Sequence, residues 1–286
     1  MHALDNGHLS LRIHPQGAEL HSLRYRDTEY LWQGDPAIWA RRAPVLFPFV
    51  GRLKDDRYFY EGQSYPMGQH GFARDRVFTL AQETADSIAF VLHDDAQTRE
   101  RYPFAFAFEV RYSLHDNTLR TTYTVHNPGT GTLPFSLGAH PGFRVPLFPG
   151  EALTDYRIVF DQPLHAERHL LDYGLFDGRT EVVLDGSDEI PLTQTLFDRD
   201  ALVFHELPAT AVSLVSAQRG VCLRMSLAGF PFLGIWAKPG APFVCLEPWQ
   251  GLADSTDHSG DLLEKPGLRL LRGGETHQCS FDITLY

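Results

Sequence analysis

The stretch FAFAFEVRYSL, residues 104–114, decides the fold class of this chain, because a bulky apolar side chain stands at every second position. Successive side chains of a β-strand point to opposite faces, so a period of two lines one buried face of a strand. His115-Asp116-Asn117 then indicates a turn, and residues 119–125 alternate again as a return strand. The segment therefore predicts an antiparallel hairpin with one face in a core.

The same signal recurs along the chain, whereas helical periodicity is almost absent. The best helix candidate, Asp95–Arg101, would make two turns at most. A hairpin turn is predicted at 217–220. Further strands are predicted at residues 156–160, 181–184, 211–215 and 221–227. Without a linker or an internal repeat, the pattern predicts one all-β domain over residues 1–286, built as a large antiparallel β-sandwich.

Composition and charge narrow the classes of function. The chain is 43% hydrophobic and 21% charged, which fits a globular protein with a sizeable core. Its formal net charge of -11 argues against a nucleic-acid partner, which needs clustered Lys and Arg. No apolar run approaches the roughly 18 residues of a membrane span, and no signal peptide is expected. We therefore expect a small-molecule partner and no membrane; the oligomeric state stays open.

The three cysteines, Cys222, Cys245 and Cys279, are odd in number and far apart, and none belongs to a CxxC motif. This usage argues against a disulfide framework or a structural zinc site. It is typical of a protein in the reducing cytoplasm, which is the location we expect.

The first candidate functional segment is LFPFVGR (46–52) together with QHGFAR (69–74). Gly71 allows a backbone or a ligand to come close beside His70. Arg52 and Arg74 offer forked donors that suit hydroxyl or phosphate oxygens. The alternative, a turn histidine with two surface arginines, stays open on local sequence alone.

The second segment is SLGAHPGF (136–143), in which small residues precede His140 and a proline follows it. Histidine is the side chain whose ordinary pKa best suits proton exchange near neutral pH. This arrangement indicates a histidine held in a fixed orientation at a cleft. A buried histidine bonded to the backbone is the alternative.

The third segment is FVCLEPW (243–249), where alternation puts Phe243, Cys245 and Glu247 on one face of a strand. A carboxylate that ends an apolar strand is costly unless it is paired or used. Apolar surroundings raise the pKa of such a carboxyl and make it a better general base. A salt bridge at the strand end is the alternative.

The remaining motifs give weaker evidence about function. His165 and His169 have a spacing that can hold zinc on a helix, but the segment does not match HExxH. Asp254, Asp257 and Asp261 are interpreted as solvated turns rather than a calcium site. The GxGxxG, GxxxxGK and GxSxG motifs are missing, so nucleotide-binding and serine-hydrolase functions lack their anchors. No metal or cofactor is predicted.

Four stretches, taken in order, resemble the aldose 1-epimerase (galactose mutarotase-like) family, and most closely its LacX-like branch. They are LFPFVGRLKDDRYFYEG (46–62), GQHGFARD (68–75), FSLGAHPGF (135–143) and FLGIWAKPGAPFVCLEPWQGLADS (232–255). The resemblance implies a β-supersandwich fold and a cofactor-free isomerase that interconverts the α and β anomers of an aldose.

The resemblance also implies a role for each matching residue. His140 matches the general acid and Glu247 the general base of the family. His70 and Arg52 match residues that bind the sugar, and Asp200 is the best match to the substrate-binding aspartate, with Asp198 as the fallback. Trp249 and Trp236 are candidates for stacking on the sugar ring, although either also fits a core position.

The identity of the aldose stays open at this point. Residues 53–55, Leu-Lys-Asp, replace the asparagine-rich continuation of the galactose-specific branch. The GFAR segment, which ends at Arg74, also resembles the branch that acts on hexose 6-phosphates. Two other functions remain as alternatives: a non-catalytic carbohydrate-binding protein, and a glycosidase that uses Glu247 and Asp200 as paired carboxylates.

Overall fold

A computed structural model describes all 286 residues and consists almost entirely of β-strands. The single α-helix is α1 (Ala96–Arg99), and four one-turn 3-10 helices lie at Lys54–Asp56, Ala73–Asp75, Leu153–Asp155 and Leu262–Glu264. The strands are β1 (His2–Asp5), β2 (Leu9–His14), β3 (Glu19–Tyr25), β4 (Thr28–Glu29), β5 (Val45–Leu46), β6 (Arg57–Tyr60), β7 (Gln63–Pro66), β8 (Thr79–Glu83), β9 (Ser87–His93), β10 (Ala107–His115), β11 (Thr118–His126), β12 (Leu133–Phe135), β13 (Leu137–Ala139), β14 (Gly142–Arg144), β15 (Tyr156–Asp172), β16 (Leu175–Pro191), β17 (Leu202–His205), β18 (Ala211–Ser216), β19 (Gly220–Ser226), β20 (Phe232–Trp236), β21 (Phe243–Gln250), β22 (Arg269–Leu271) and β23 (Thr276–Leu285).

One sheet of 15 strands dominates the architecture. Its main path runs β5-β13-β21-β20-β17-β15-β18-β19-β23-β11-β10-β9-β8, with β14 paired to β21 and β16 paired to β15. A four-stranded sheet, β1-β2-β3-β4, and the pairs β12-β22 and β6-β7 complete the fold. Pairing between the strands is antiparallel, as the alternating sequence pattern predicts, and the all-β class is confirmed.

The hairpin quoted at the start of the sequence analysis forms between β10 and β11. Leu114 pairs with Leu119, and Asp116 takes a positive φ of 50° in the turn. Inward positions of β10 are buried at every second residue, as the period of two requires. Phe104 and Phe106 are also buried, but they lie before the strand, which begins only at Ala107.

The long hairpin β15–β16 extends well beyond the two short strands predicted for it. Each strand has 17 residues, and the pairing shifts register at several bulges. Most of β16 is half-buried or exposed, so it carries no strict apolar alternation for a sequence pattern to detect. The predicted turn at 217–220 joins β18 to β19, and the predicted helix is reduced to the single turn of α1, capped by Asp95.

The core consists of a cluster of 72 buried residues and a separate cluster of six. Aromatic rings are prominent in the large cluster, where Phe47 stacks on Phe108 with ring centroids 4.5 Å apart. The small cluster comprises Leu46, Val50, Ala201, Val203, Trp249 and Leu252, which lie on or next to strands β5, β17 and β21. The helical segments are too short and too polar for a membrane span.

Candidate active site

A cavity of about 390 Å³ lies over the neighbouring strands β21, β20 and β17. Its volume falls in the range of small-molecule sites, roughly 300–1,000 Å³. Eight residues proposed from sequence line this one cavity: Arg52, His70, Arg74, His140, Asp200, Trp236, Glu247 and Trp249. Asp198, the fallback aspartate, is not among the lining residues. The structure thus brings the predicted residues together, and the role of each stays a prediction.

Strand β21 supplies the centre of the site. It is buried along its whole length between β13 and β20. Glu247 stands opposite Gly234 of β20, and Trp249 stands opposite Gly138 of β13. His140 follows directly after β13. Sheet pairing therefore places the predicted acid and base side by side although they are far apart in sequence.

Two glycines form a slot for the indole ring of Trp249. A Cβ added to Gly138 would lie 2.6 Å from Cδ1 of the ring, and one added to Gly234 would lie 2.6 Å from its Cη2 and Cζ2. Trp249 is only 7% exposed. The glycines of the FSLGAHPGF and FLGIW segments thus leave the space that the indole ring of Trp249 occupies beside the cavity.

Replacing Gly234 with alanine is expected to push the indole of Trp249 out of its slot. Overpacking of this kind costs about 1–3 kcal/mol of unfolding free energy, and the shifted ring should lower kcat/KM for the mutarotation that the family resemblance implies. Gly131→Ala is the matched control, because a Cβ there meets nothing within 4 Å and the φ of Gly131 is ordinary. Urea unfolding and polarimetry measure the two effects; a Gly234→Ala protein indistinguishable from Gly131→Ala in both would contradict the slot.

His70 is held in a conformation that determines its tautomer. Its φ is 66°, and its Nδ1 accepts a hydrogen bond of 3.1 Å from the Gly51 N–H. Burial lowers the pKa of His70 well below its ordinary value, so the ring is neutral and carries its proton on Nε2. The predicted close approach at Gly71 is to backbone, since a Cβ there would lie 2.3 Å from the Phe47 carbonyl oxygen.

His140 and Glu247 are in direct contact, with 3.3 Å between Nε2 and Oε2. Burial lowers the pKa of His140 to about 3 and raises the pKa of Glu247 well above its ordinary value, and the negative charge of Asp200 raises the latter further. Both shifts follow from the cost of an unpaired charge in a buried site. The pair therefore holds one proton between two groups over a wide pH range.

Several buried polar atoms in the cavity have no hydrogen-bond partner within the protein. They are Nδ1 of His140, Oε2 of Glu247, Nε1 of Trp249 and Nε of Arg74. Leaving such an atom unpaired costs about 1–3 kcal/mol, and buried polar groups without a protein partner call for an explanation. The residues that carry these atoms line the cavity, and their polar side chains suit a small ligand rich in hydroxyl groups.

The two pocket arginines are already engaged by the protein. Nε and Nη2 of Arg52 donate to the carboxylate of Asp56 at 3.0 and 2.9 Å, and its Nη1 donates to the Tyr173 carbonyl at 3.0 Å. Nη2 of Arg74 donates to the Gln69 carbonyl at 2.6 Å. Burial lowers the pKa of Arg74 to about 10. All three guanidinium nitrogens of Arg52 are thus engaged, whereas Nε of Arg74 has no partner in the protein.

The interpretation of Asp254 as a solvated turn residue is wrong. Asp254 is 1% exposed, and its Oδ1 accepts a hydrogen bond of 2.8 Å from the ammonium of Lys265, which is itself buried. Its Oδ2 accepts from the Lys54 N–H at 3.0 Å, and its own N–H donates to the Arg52 carbonyl. The local sequence DST does not show that Asp254 is buried, because the cation that compensates its charge, Lys265, lies eleven residues away.

The other two aspartates of that loop, Asp257 and Asp261, are exposed. His165 and His169 lie on strand β15 rather than on a helix, where residues four apart are separated by about 13 Å. His165 contacts Asp185, and His169 stacks on His205 at 3.6 Å between ring centroids. The two histidines therefore do not form a zinc pair.

Sequence reasoning missed several residues of the cavity wall, and Trp39 is the clearest case. Its ring stacks on His140 with centroids 5.1 Å apart and meets the edge of Trp236. Trp39 lies in a loop without strand alternation or a recognisable motif. Tyr173 and Phe176, which also line the cavity, come from the tip of the β15–β16 hairpin. No local signal marks any of the three.

Comparison with known proteins gives consistent results over the full chain. The family model described as aldose 1-epimerase matches residues 1–284. The plasmid-encoded protein LacX of Lactococcus lactis subsp. lactis is 33% identical over 293 residues, covering 99% of this chain and 98% of that protein. A galactose mutarotase related enzyme from Lactobacillus acidophilus superposes with a TM-score of 0.95 at 37% identity, covering 100% of this chain and 97% of the other. A galactose mutarotase-like protein from Lactobacillus casei ATCC 334 gives 0.94 at 31% identity, with both chains fully covered.

Fold and similarity together define an isomerase that acts on carbohydrates and has a galactose mutarotase-like β-supersandwich. The chain belongs to the aldose 1-epimerase family. The family resemblance carried by the four sequence stretches, including the relationship to LacX, is thereby confirmed.

Proposed function

We propose that this protein interconverts the α and β anomers of an unphosphorylated aldose, with Glu247 and His140 as its proton-exchanging groups. The observation that carries the proposal is the 3.3 Å contact between Nε2 of His140 and Oε2 of Glu247 at the wall of a sugar-sized cavity. Both groups have burial-shifted pKa values, as acid–base catalysts commonly do. Polarimetry on freshly dissolved α-glucose and α-galactose tests the activity directly.

In the forward direction the shared proton first moves from Glu247, where burial favours it, to His140. Glu247 then removes the proton of the anomeric hydroxyl while His140 donates a proton to the ring oxygen. The C1–O5 bond breaks, and the electron pair left on O1 forms the aldehyde carbonyl. Rotation about C1–C2 presents the other carbonyl face. The 5-hydroxyl then attacks C1, His140 takes back its proton, and Glu247 protonates O1. Each residue ends as it began, and no net proton, electron or group is transferred.

The closeness of the two residues fits this chemistry. The anomeric hydroxyl and the ring oxygen are both bonded to C1, so an acid and a base that reach them must be neighbours. One proton shared by the pair supplies the acid and the base at once, and after ring opening the roles are reversed. A positioned general acid or base typically contributes about 10²–10⁴-fold to the rate.

The remaining lining residues are proposed to bind the sugar. His70, with its proton on Nε2, offers a donor, and Asp200, in the loop just before β17, offers an acceptor. Trp249 and Trp236 present ring surfaces for stacking on the sugar. Arg52 and Arg74 also line the cavity.

The state of Arg52 supports a substrate without a phosphate. Arg52 is bidentate to Asp56, and the carboxyl group of Asp200 also lines the cavity. A phosphate would have to compete with Asp56 and enter an acidic surrounding. We expect kcat/KM for glucose or galactose to exceed that for glucose 6-phosphate by at least about tenfold, a difference of 1.4 kcal/mol. Parallel assays of the free and 6-phosphorylated sugars measure it, and a preference for the phosphorylated sugar would contradict the assignment.

The pH dependence of the rate should lack the acid limb of an ordinary histidine. Because burial lowers the pKa of His140 to about 3, a second proton enters the pair only well below pH 6.5. We expect kcat/KM to fall less than about twofold from pH 7 to 5.5, whereas a base with a pKa of 6.5 would lose about tenfold. The rate should fall at high pH, where the pair loses its last proton. Polarimetry corrected for buffer catalysis gives the profile; a tenfold acid loss would argue against the buried pair as catalyst.

Two further expectations are part of the proposal. We treat residues 1–286 as one domain, since the 15-stranded sheet takes strands from β5 near the start to β23 at the end. We place the protein in the cytoplasm, in keeping with the free thiols of Cys222, Cys245 and Cys279. Neither the carbohydrate-binding alternative nor the glycosidase alternative is favoured by the observed geometry.

A further inference from the structure

We propose that His140, Cys245 and Glu247 form a binding site for a thiophilic divalent cation such as Zn²⁺, and that the bound metal inhibits the isomerase. The metal site stands on geometry alone, whereas the inhibition rests on the proposed function. No feature of the isomerase chemistry calls for this metal, so the site would act as a control point rather than as a cofactor site.

The three side chains combine the ligand types that zinc prefers. One imidazole nitrogen, one thiol sulfur and one carboxylate oxygen all lie within 4.8 Å of one another, and all three residues are buried. Cys245 and Glu247 share a face of β21 because they are two residues apart, and His140 reaches the same point from the residue directly after β13. Three protein ligands with a fourth position left open is the arrangement of zinc sites that exchange ligands.

The distances match a tetrahedral ion with little rearrangement. Nitrogen and oxygen ligands about 2.0–2.2 Å from zinc are roughly 3.3–3.6 Å apart in a tetrahedron. Nε2 of His140 and Oε2 of Glu247 already lie 3.3 Å apart. The Sγ of Cys245 needs to move inward by about 1 Å at most to reach the corresponding separation from its partners. The fourth position then faces the cavity lined by His140 and Glu247.

Binding requires deprotonated ligands, and the proton balance is simple. The thiol of Cys245 loses its proton to solvent, and the single proton shared by His140 and Glu247 also leaves. The cation then balances one thiolate and one carboxylate in a buried place where either charge alone would be costly. The same event removes both the acid and the base of the isomerase, so metal and sugar exclude each other.

Cysteine variants separate this site from other effects of zinc. Cys245→Ala removes one ligand but leaves His140 and Glu247 in place, so metal-free mutarotation should be retained. Cys222→Ala is the matched control, since Cys222 is also buried but does not belong to the group of three possible ligands. Loss of outer-shell partners alone already weakens metal sites 10–100-fold. We expect the loss of the Cys245 ligand to weaken binding more than about 100-fold.

The experiment has two independent readouts on the chelator-treated protein. Titration with Co²⁺ reports thiolate ligation through a sulfur-to-cobalt charge-transfer absorption, without any need for activity. Titration with Zn²⁺ during mutarotation of α-glucose reports inhibition and its reversal by EDTA. We expect one equivalent of metal, the thiolate absorption and inhibition in the wild type and in Cys222→Ala, and none of them in Cys245→Ala at the same concentrations.

Each contrary result contradicts one particular part of the proposal, either the metal site or its inhibitory effect. A wild-type protein without the cobalt–thiolate absorption, or Cys245→Ala as sensitive to Zn²⁺ as the wild type, overturns the metal site. Metal binding that leaves mutarotation intact overturns the inhibitory role. A protein that shows the Cys245-dependent absorption but isomerises none of the aldoses supports the site and contradicts the proposed function instead.

Discussion

Replacing Glu247 with glutamine should reduce catalysed mutarotation by about 10²–10⁴-fold, which is the typical contribution of a positioned general base. Glutamine has nearly the same shape but cannot take the proton of the anomeric hydroxyl. The fold should persist, because burial already raises the pKa of Glu247 and disfavours its charge, so that a neutral amide is no worse accommodated. Polarimetry after subtraction of the uncatalysed rate measures the effect, and thermal unfolding checks the fold.

Controls for this variant use the same chemical change elsewhere. Glu100→Gln alters an exposed glutamate at the end of α1 and should leave the rate unchanged. The double variant His140→Asn/Glu247→Gln should be about as slow as the slower single variant, because residues that act as one unit are not additive. Full activity in Glu247→Gln, with an intact fold, would remove this carboxyl from the mechanism.

Replacing Asp254 with asparagine should destabilise the protein by about 3–5 kcal/mol, since removing one partner of a buried ion pair leaves the other charge uncompensated. The ammonium of Lys265 lies 2.8 Å from Oδ1 of Asp254, and both side chains are 1% exposed. Burial lowers the pKa of Lys265, and the carboxylate opposes that shift. Urea unfolding monitored by tryptophan fluorescence gives the free-energy change.

The double variant Asp254→Asn/Lys265→Met should recover much of the lost stability, because it removes both charges together. Asp282→Asn is the matched surface control. Asp282 pairs with Arg120, but its side chain is 30% exposed and that of Arg120 51%, so the change should cost less than about 1 kcal/mol. Equal losses for Asp254→Asn and Asp282→Asn would show that the buried pair contributes nothing beyond a surface pair.

The buried pair also connects stability to the candidate site. Asp254 bonds through its backbone N–H to the Arg52 carbonyl, and its carbonyl accepts from the Phe176 N–H. Arg52 and Phe176 both line the cavity. Partial loosening of Asp254 should therefore widen the cavity mouth before the whole chain unfolds, and we expect KM for the sugar to rise more than kcat falls in Asp254→Asn.

Much of the fold was predictable because its cause is local. The period of two in residues 104–114 requires a strand with one buried face, and the turn at 115–117 requires the chain to reverse. The length of the hairpin β15–β16 was underestimated, and the reason is again physical. Most residues of β16 are exposed or half-buried, so the strand has no buried face that requires an apolar residue at every second position.

The candidate residues were identified from a combination of local chemistry and family resemblance. A carboxylate closing an apolar strand at Glu247, and a histidine between small residues and a proline at His140, were visible as unusual in the sequence alone. That they touch was not visible, since it depends on β13 and β21 being neighbours in the sheet. The buried state of Asp254 and the stacking of Trp39 on His140 depend equally on partners distant in sequence.

By itself, the sequence determined the fold class, the family and the list of chemically unusual residues, because side-chain periodicity and residue type are properties of short segments. Only the tertiary structure decided which of those residues meet, which are buried, and which charges are balanced. The physical reason is that contacts, desolvation and pKa shifts arise from distances between segments, and those distances are set by strand pairing across the whole chain.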